Sequence, residues 1–142
     1  MIKTRSLSRS HVLQILFQFD VQPLLNVEAG LAAFRKQFDS KGADEAFVER
    51  LIRGVASNLK SLDSTIAVAA SHWRIDWMSK VDRNILRLGT YELLYCEDIP
   101  ATVTINEMIE LAKNFGEESS SGFVNAVLDR IRIDNPRENK VP

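Results

Sequence analysis

The segment VDRNILRLGTYELLY, Val81 to Tyr95, decides the fold class. Its apolar residues are Val81, Ile85, Leu86, Leu88, Leu93 and Leu94. They do not alternate as a strand's would, and they do not fall on one narrow stripe. They cover several faces at helical spacing, the pattern of a helix enclosed by other elements. The stretch predicts a central, buried helix, broken by Pro100, and an all-α protein.

The segments on either side repeat the helical period. Downstream, Thr104 and Glu107 have the spacing of a capping box. Ile105, Met108, Ile109 and Ala112 then form a stripe, and Gly116 stands where a helix C-cap belongs. Ser119 or Ser120 is placed to cap a last helix with the stripe Val124, Val127, Leu128 and Ile131. Upstream, Leu62, Ile66 and Val68 to Ala70 predict a helix running up to His72 and Trp73. Phe47, Leu51, Val55 and Leu59 predict another, with Glu49 and Arg53 paired at i,i+4 on its outer face. Val27, Leu31, Phe34 and Phe38 predict a further one. The first helix carries Val12, Ile15, Leu16 and Phe19 and is stopped by Pro23. Asp39 to Glu45 reads as a loop. About seven helices with short connections predict one bundle-like domain over residues 1–136, and residues 137–142 read as a flexible tail.

A chain of 142 residues can bury roughly 68–70% of the surface it exposes unfolded. It therefore needs neither disulfides nor metals to build a core. Cys96 is the one cysteine and has no partner for an internal bridge, which argues against a secreted disulfide scaffold. The N-terminus lacks the layout of a signal peptide, and no apolar run approaches the ~20 residues of a membrane helix. A cytoplasmic location is the expectation. Net charge is −1, so no global field points to nucleic acid or membrane. The charge is unevenly spread, however. Lys3, Arg5, Arg9 and His11 face no acid before Asp20, whereas acids dominate from Asp76 to Glu118. One end suits an anion and the other a basic partner.

Catalytic patterns are lacking. His11 and His72 are far apart with no cysteine nearby, and Glu107 and Glu110 lack the histidine of a di-iron motif, so no metal is expected. Ser119, Ser120 and Ser121 lack a nucleophile elbow, and the scattered glycines form no phosphate loop. Cys96 closes an apolar helix, where a thiol is usually only buried. Glu117 and Glu118 follow a C-cap glycine and read as a solvated loop. The chain is expected to bind rather than catalyse, without a cofactor.

Arg5, Arg9, Leu13 and Phe17 form one i+4 row beside the core stripe of the first helix. Guanidiniums leading to an aromatic edge suit single-stranded nucleic acid, by phosphate contact and base stacking. The same spacing also describes a solvated basic helix start with Leu13 and Phe17 packed on a neighbour. A row of cations at a helix N-terminus opposes the dipole, and an anionic ligand would relieve that opposition.

Ordered motifs run through the second half of the chain: Asp82-Arg83-Asn84-Ile85-Leu86-Arg87-Leu88, Tyr91-Glu92-Leu93-Leu94, Asp98-Ile99-Pro100, and Val103 with Ile105-Asn106-Glu107. Glu110-Leu111-Ala112-Lys113, Phe115-Gly116 and Phe123-Val124-Asn125-Ala126-Val127-Leu128-Asp129 follow. In the first half stand Leu16-Phe17-Gln18, Gly54-Val55 and Leu62-Asp63. Together they resemble the NusB family of bacterial transcription antitermination factors over nearly the whole chain. The resemblance implies two small helical subbundles. It also implies binding to boxA RNA of ribosomal RNA leaders, jointly with a small-subunit ribosomal protein (NusE), in the RNA polymerase antitermination complex. By position it gives an RNA-facing set of Lys3, Arg5, Arg9, Phe17, Ser119 and Phe123. Asp76, Asp82 and Phe123 would face the protein partner. The chain departs from the family pattern where Ser6, Leu7 and Ser8 separate the arginines and where Ala126 replaces a frequent glycine. The first departure predicts weak RNA affinity without the partner. Two alternatives remain at this stage. One is the N-terminal RNA-binding domain of a ribosomal RNA cytosine methyltransferase, which requires a further Rossmann-like domain. The other is a homodimeric helical interaction domain.

Overall fold

A computed structural model describes residues 4–37 and 42–137. Among these residues there are seven α-helices and no strand. The helices are α1 (Thr4–Val21), α2 (Val27–Gln37), α3 (Glu45–Ser57), α4 (Leu59–Ala70), α5 (Lys80–Tyr95), α6 (Ala101–Phe115) and α7 (Ser120–Asp134), and a single 3-10 turn, Ile75–Trp77, precedes α5. The chain divides at Leu59/Lys60 into two compact units, as the expected subbundles require.

In the first unit α1 packs on α2 and α3, and α2 packs on α3. The expected stripes are buried: Val12, Ile15 and Leu16 on α1, Leu31 and Phe34 on α2, and Phe47, Leu51 and Val55 on α3. Phe19 is only half-buried, and Leu59 is exposed at the start of α4 instead of ending α3. Phe38 and residues 39–41 lie outside the described residues. Asp44 starts α3, its side chain accepting the Phe47 N–H at 3.1 Å. The buried Ser8 hydroxyl accepts the Asp44 N–H at 2.8 Å and so ties α1 to that cap. The expected Glu49–Arg53 pair forms at 2.9 Å, and Arg53 also reaches Glu28. Both are exposed and add little stability.

His11 is buried with its ring 4.9 Å from that of Phe34, and burial lowers its pKa below the ordinary 6.5. The folded unit therefore binds this proton less readily than the unfolded chain. The resulting stability is present above about pH 6.5 and is lost as the pH falls through the folded value. Denaturant midpoints followed from pH 7.5 downward should drop less in His11→Gln than in the parent. Parallel curves would show that His11 is not responsible.

In the second unit α5 packs on α6 and α7, and α6 packs on α7. An unbroken buried run from Asn84 to Thr90 makes α5 the central helix, as its sequence predicts. Gly89 permits the close approach: a Cβ there would sit 2.8 Å from Leu128 Cδ1 and 2.9 Å from Met108 Cγ. Polar bonds link the helices. Arg87 forks onto Asp63 of α4 with two contacts of 2.8 Å. The fully buried Glu92 accepts the Thr104 hydroxyl at 2.8 Å.

That last bond corrects one expectation. Thr104 does not open α6: its hydroxyl is committed to Glu92, and the helix starts one turn earlier, with Pro100 at the N-cap and its carbonyl accepting the Val103 and Thr104 N–H groups. Pro suits such a position because it has no N–H to satisfy. Gly116 does end α6. Ser119 occupies the N-cap of α7 without a side-chain bond, and Ser120 instead accepts the Glu117 N–H at 2.9 Å. Val68 is 75% exposed, so α4 buries only Leu62, Ile66 and Ala70.

Order also extends past Pro136. The Arg137 guanidinium donates to the carbonyls of Glu92, Leu93, Cys96 and Ile99, satisfying the C-terminal end of α5 with a cation. Residues 138–142 lie outside the described residues. Arg137→Ala should cost about 2 kcal/mol, the scale of hydrogen bonds to a charged group. Chemical denaturation checks this, and a loss under about 0.5 kcal/mol would mean that water satisfies those carbonyls equally well.

Candidate nucleic-acid and partner interface

In the first unit the basic end of α1 is built on an aromatic ring of α3. The Arg5 and Arg9 guanidinium carbons lie 4.3 and 5.2 Å from the Phe47 ring centroid. Both are within cation–π range. Arg5 is exposed, whereas Arg9 is 2% exposed and Leu13 3%. The row Arg5–Arg9–Leu13–Phe17 therefore does not run beside the core, as its spacing suggested. α3 packs against its middle, and only its ends, Arg5 and the half-buried Phe17, reach the surface. Lys3 lies outside the described residues. The first turn of α1 carries no acid, so Arg5 sits against the positive end of the helix dipole.

In the second unit the segment between α4 and α5 exposes the chain's two tryptophans, Trp73 at 56% and Trp77 at 67%. Trp73 meets Phe123 of α7 edge to face, centroids 6.0 Å apart. Arg74 lies 5.0 Å over the Trp77 ring and forks onto Asp76 at 3.0 and 3.2 Å. Asp76 is exposed. Asp82 is half-buried in the first turn of α5, its N–H received by the capping Ser79 hydroxyl at 3.0 Å. Its Oδ1 is buried without a hydrogen-bond partner among the described residues. Ser119 is exposed at the start of α7, one turn before the half-buried Phe123.

The expected residues Ser119 and Phe123 thus share a helix start, whereas Asp76 lies within the 3-10 turn and Asp82 in the first turn of α5. Sequence reading missed Arg74 and Trp77 and took Trp73 only as a helix end. The available signal was two tryptophans four residues apart, in a stretch without helical periodicity and ahead of a capping serine. Among the described residues no cluster of His, Cys, Asp or Glu could hold a metal ion. No helix there is long and apolar enough to cross a membrane.

Comparison with known proteins places these features in a family. Residues 6–132 match the model of the NusB family. Transcription antitermination protein NusB of Myxococcus xanthus is 42% identical over 132 residues, 91% of this chain and 94% of that protein. The protein of the same description from Bacillus licheniformis is 42% identical over 130 residues, 92% and 97% of the two chains. Among solved structures, T. maritima NusB aligns with a TM-score of 0.84 at 40% identity over 94% of each chain. The antitermination factor NusB crystallised with NusE and double-stranded RNA aligns with a TM-score of 0.81 at 25% identity, over 94% of this chain and 99% of that one.

Proposed function

The chain belongs to the NusB family, and from that premise we propose that it binds boxA RNA of ribosomal RNA leaders together with the ribosomal protein NusE. It is a transcription antitermination factor and works by binding, without catalysis. The observation that carries the reading is the family match across both helical units, residues 6–132. Its place of action is the cytoplasm, in the RNA polymerase antitermination complex.

The exposed Arg5 supplies phosphate contact, and Lys3, two residues earlier in the sequence, adds its charge to that role. Arg9 acts from beneath, holding the Phe47 ring against which Arg5 rests. Phe17 in the first unit and Ser119 and Phe123 in the second are further RNA contacts by the family resemblance, and Phe123 also faces the protein partner. Asp76 and Asp82 face the protein partner. Trp77 and Trp73 join them, because exposed tryptophans rimmed by charge are the usual energetic centre of a protein interface.

The test is a titration of boxA RNA, with and without the ribosomal partner, at two or more salt concentrations. A scrambled RNA and a duplex of the same sequence serve as controls. Binding should prefer boxA and tighten with the partner. Arg5→Ala should reduce the slope of log affinity against log salt by about 0.7 for a single-stranded target. An unchanged slope would remove Arg5 from the phosphate contacts. No preference for boxA, even with the partner present, would overturn the RNA assignment.

A further inference from the structure

One depression in the first unit plays no part in the binding surfaces described above. It is a groove of about 190 Å³ between α1 and α2. Its floor is Ile15 and Phe34, and its rim is Gln14, Gln18, Gln22 and Gln37. None of its lining residues is charged. The volume falls below the roughly 300–1,000 Å³ of sites for drug-sized ligands, so it suits a single ring system.

The rim chemistry narrows the occupant. Gln22 Nε2 donates to Gln18 Oε1 at 3.1 Å, and Gln14 Nε2 donates to the Ser10 carbonyl at 3.3 Å. The Gln18–Gln22 bond uses the Gln18 oxygen and one Gln22 N–H, so the Gln18 amide nitrogen and the Gln22 oxygen keep hydrogen-bonding capacity at the rim. A charged ligand would find no counter-charge here, and a purely apolar one would use only the floor and none of the amide donors and acceptors at the rim. A flat, neutral ring that carries a donor beside an acceptor satisfies both the floor and the rim. A single glutamine amide presents such a donor and acceptor to a nucleobase edge. The position agrees: Gln14 lies one turn before Phe17, so rim and half-exposed ring are neighbours on the surface of α1. Gln18 lies 13 residues beyond Arg5, about 20 Å along the helix and roughly 140° around it, so a strand held at Arg5 must wind around α1 to reach the groove.

We propose that the α1–α2 groove is a base-reading pocket, which takes one unstacked nucleobase from the RNA strand that Arg5 holds and reads its edge with the Gln18–Gln22 amide pair. The proposal rests on the RNA reading above for the source of the base, but the pocket can be tested apart from it. The probes are the four free ribonucleosides, which carry no phosphate and so owe nothing to Arg5. Added to the full chain, at least one should shift the side-chain amide resonances of Gln18 and Gln22 saturably. In Gln18→Ala/Gln22→Ala the shifts elsewhere in the groove should be lost. Both glutamines are exposed, so the double variant should keep the parent's melting curve, which is measured alongside.

With RNA, the same variant should lose about tenfold in affinity for the preferred sequence, the scale of one bidentate base contact. Its salt slope should stay at the parent value, because no phosphate contact is removed. Absence of nucleoside-induced shifts at millimolar concentration would overturn the proposal, as would an affinity loss that is equal for scrambled RNA. Nucleoside binding together with an Arg5→Ala slope that does not change would leave the pocket standing and move the phosphate contacts elsewhere.

Discussion

Replacing Arg87 by Ala is expected to destabilise the second unit by about 3 kcal/mol, the lower end of the cost of breaking a buried ion pair. The Arg87 side chain is 10% exposed and that of Asp63 27%, and two 2.8 Å contacts join them. Arg87 also donates to Asn84 Oδ1 at 3.2 Å. Truncation leaves Asp63 beside apolar surface without its fork, and partial access to water keeps the loss from reaching the upper end. Arg87→Lys should recover only part, because an ammonium cannot make two parallel bonds to one carboxylate. Arg87→Met/Asp63→Leu should be more stable than Arg87→Ala, because neither charge is then left alone. Urea denaturation of the four proteins gives the ranking. Equal stability of Arg87→Ala and the parent would show that the pair contributes nothing to holding α4 on α5.

The helices were legible in the sequence because their signal is periodic and local. Ile85, Leu86 and Leu88 announced an enclosed α5, and the buried run through Thr90 is the same fact in three dimensions. What the sequence did not reveal are choices between partners that share one spacing. Thr104 with Glu107 satisfies the pattern of a capping box, but burial gave the hydroxyl a better acceptor in Glu92, twelve residues earlier. Val68 continues an apolar run yet points to water at 75% exposure, because α4 covers only the face carrying Leu62 and Ile66. Arg137 follows a proline in a polar stretch, and no local pattern could place its four acceptors more than thirty residues away.

The candidate site divides in the same way. The basic start of α1 was readable from composition, but the depth of each arginine was not. Arg9 lies four residues after Arg5 and differs from it only in being covered. Helical spacing fixes a residue's angle on its helix, whereas burial depends on the neighbour that packs there, here α3 with Phe47. The glutamine-rimmed groove was invisible for a related reason. Gln14, Gln18 and Gln22 read as an ordinary polar face until α2 supplies the opposite wall.

Trp77→Ala should weaken binding of the NusE partner by about 2 kcal/mol, or roughly thirtyfold, the threshold of an interface hot spot. The ring is 67% exposed and Arg74 lies over one face of it. Tryptophan is enriched at association surfaces, where a partner covers its ring. Its charged rim, the Arg74–Asp76 fork, would exclude water from the ring once a partner covers it. Because the side chain contributes little to the core, the variant should fold with near-parental stability, which separates it from Trp73→Ala, where the edge contact to Phe123 is also lost. Calorimetric titration with the ribosomal protein gives the affinity, and the salt slope for RNA alone should be unchanged. If Trp77→Ala binds that protein as tightly as the parent, the tryptophan face is not the docking surface. The contact then rests on Asp76 and Asp82, and Asp82→Lys should weaken it by like-charge repulsion with a basic partner.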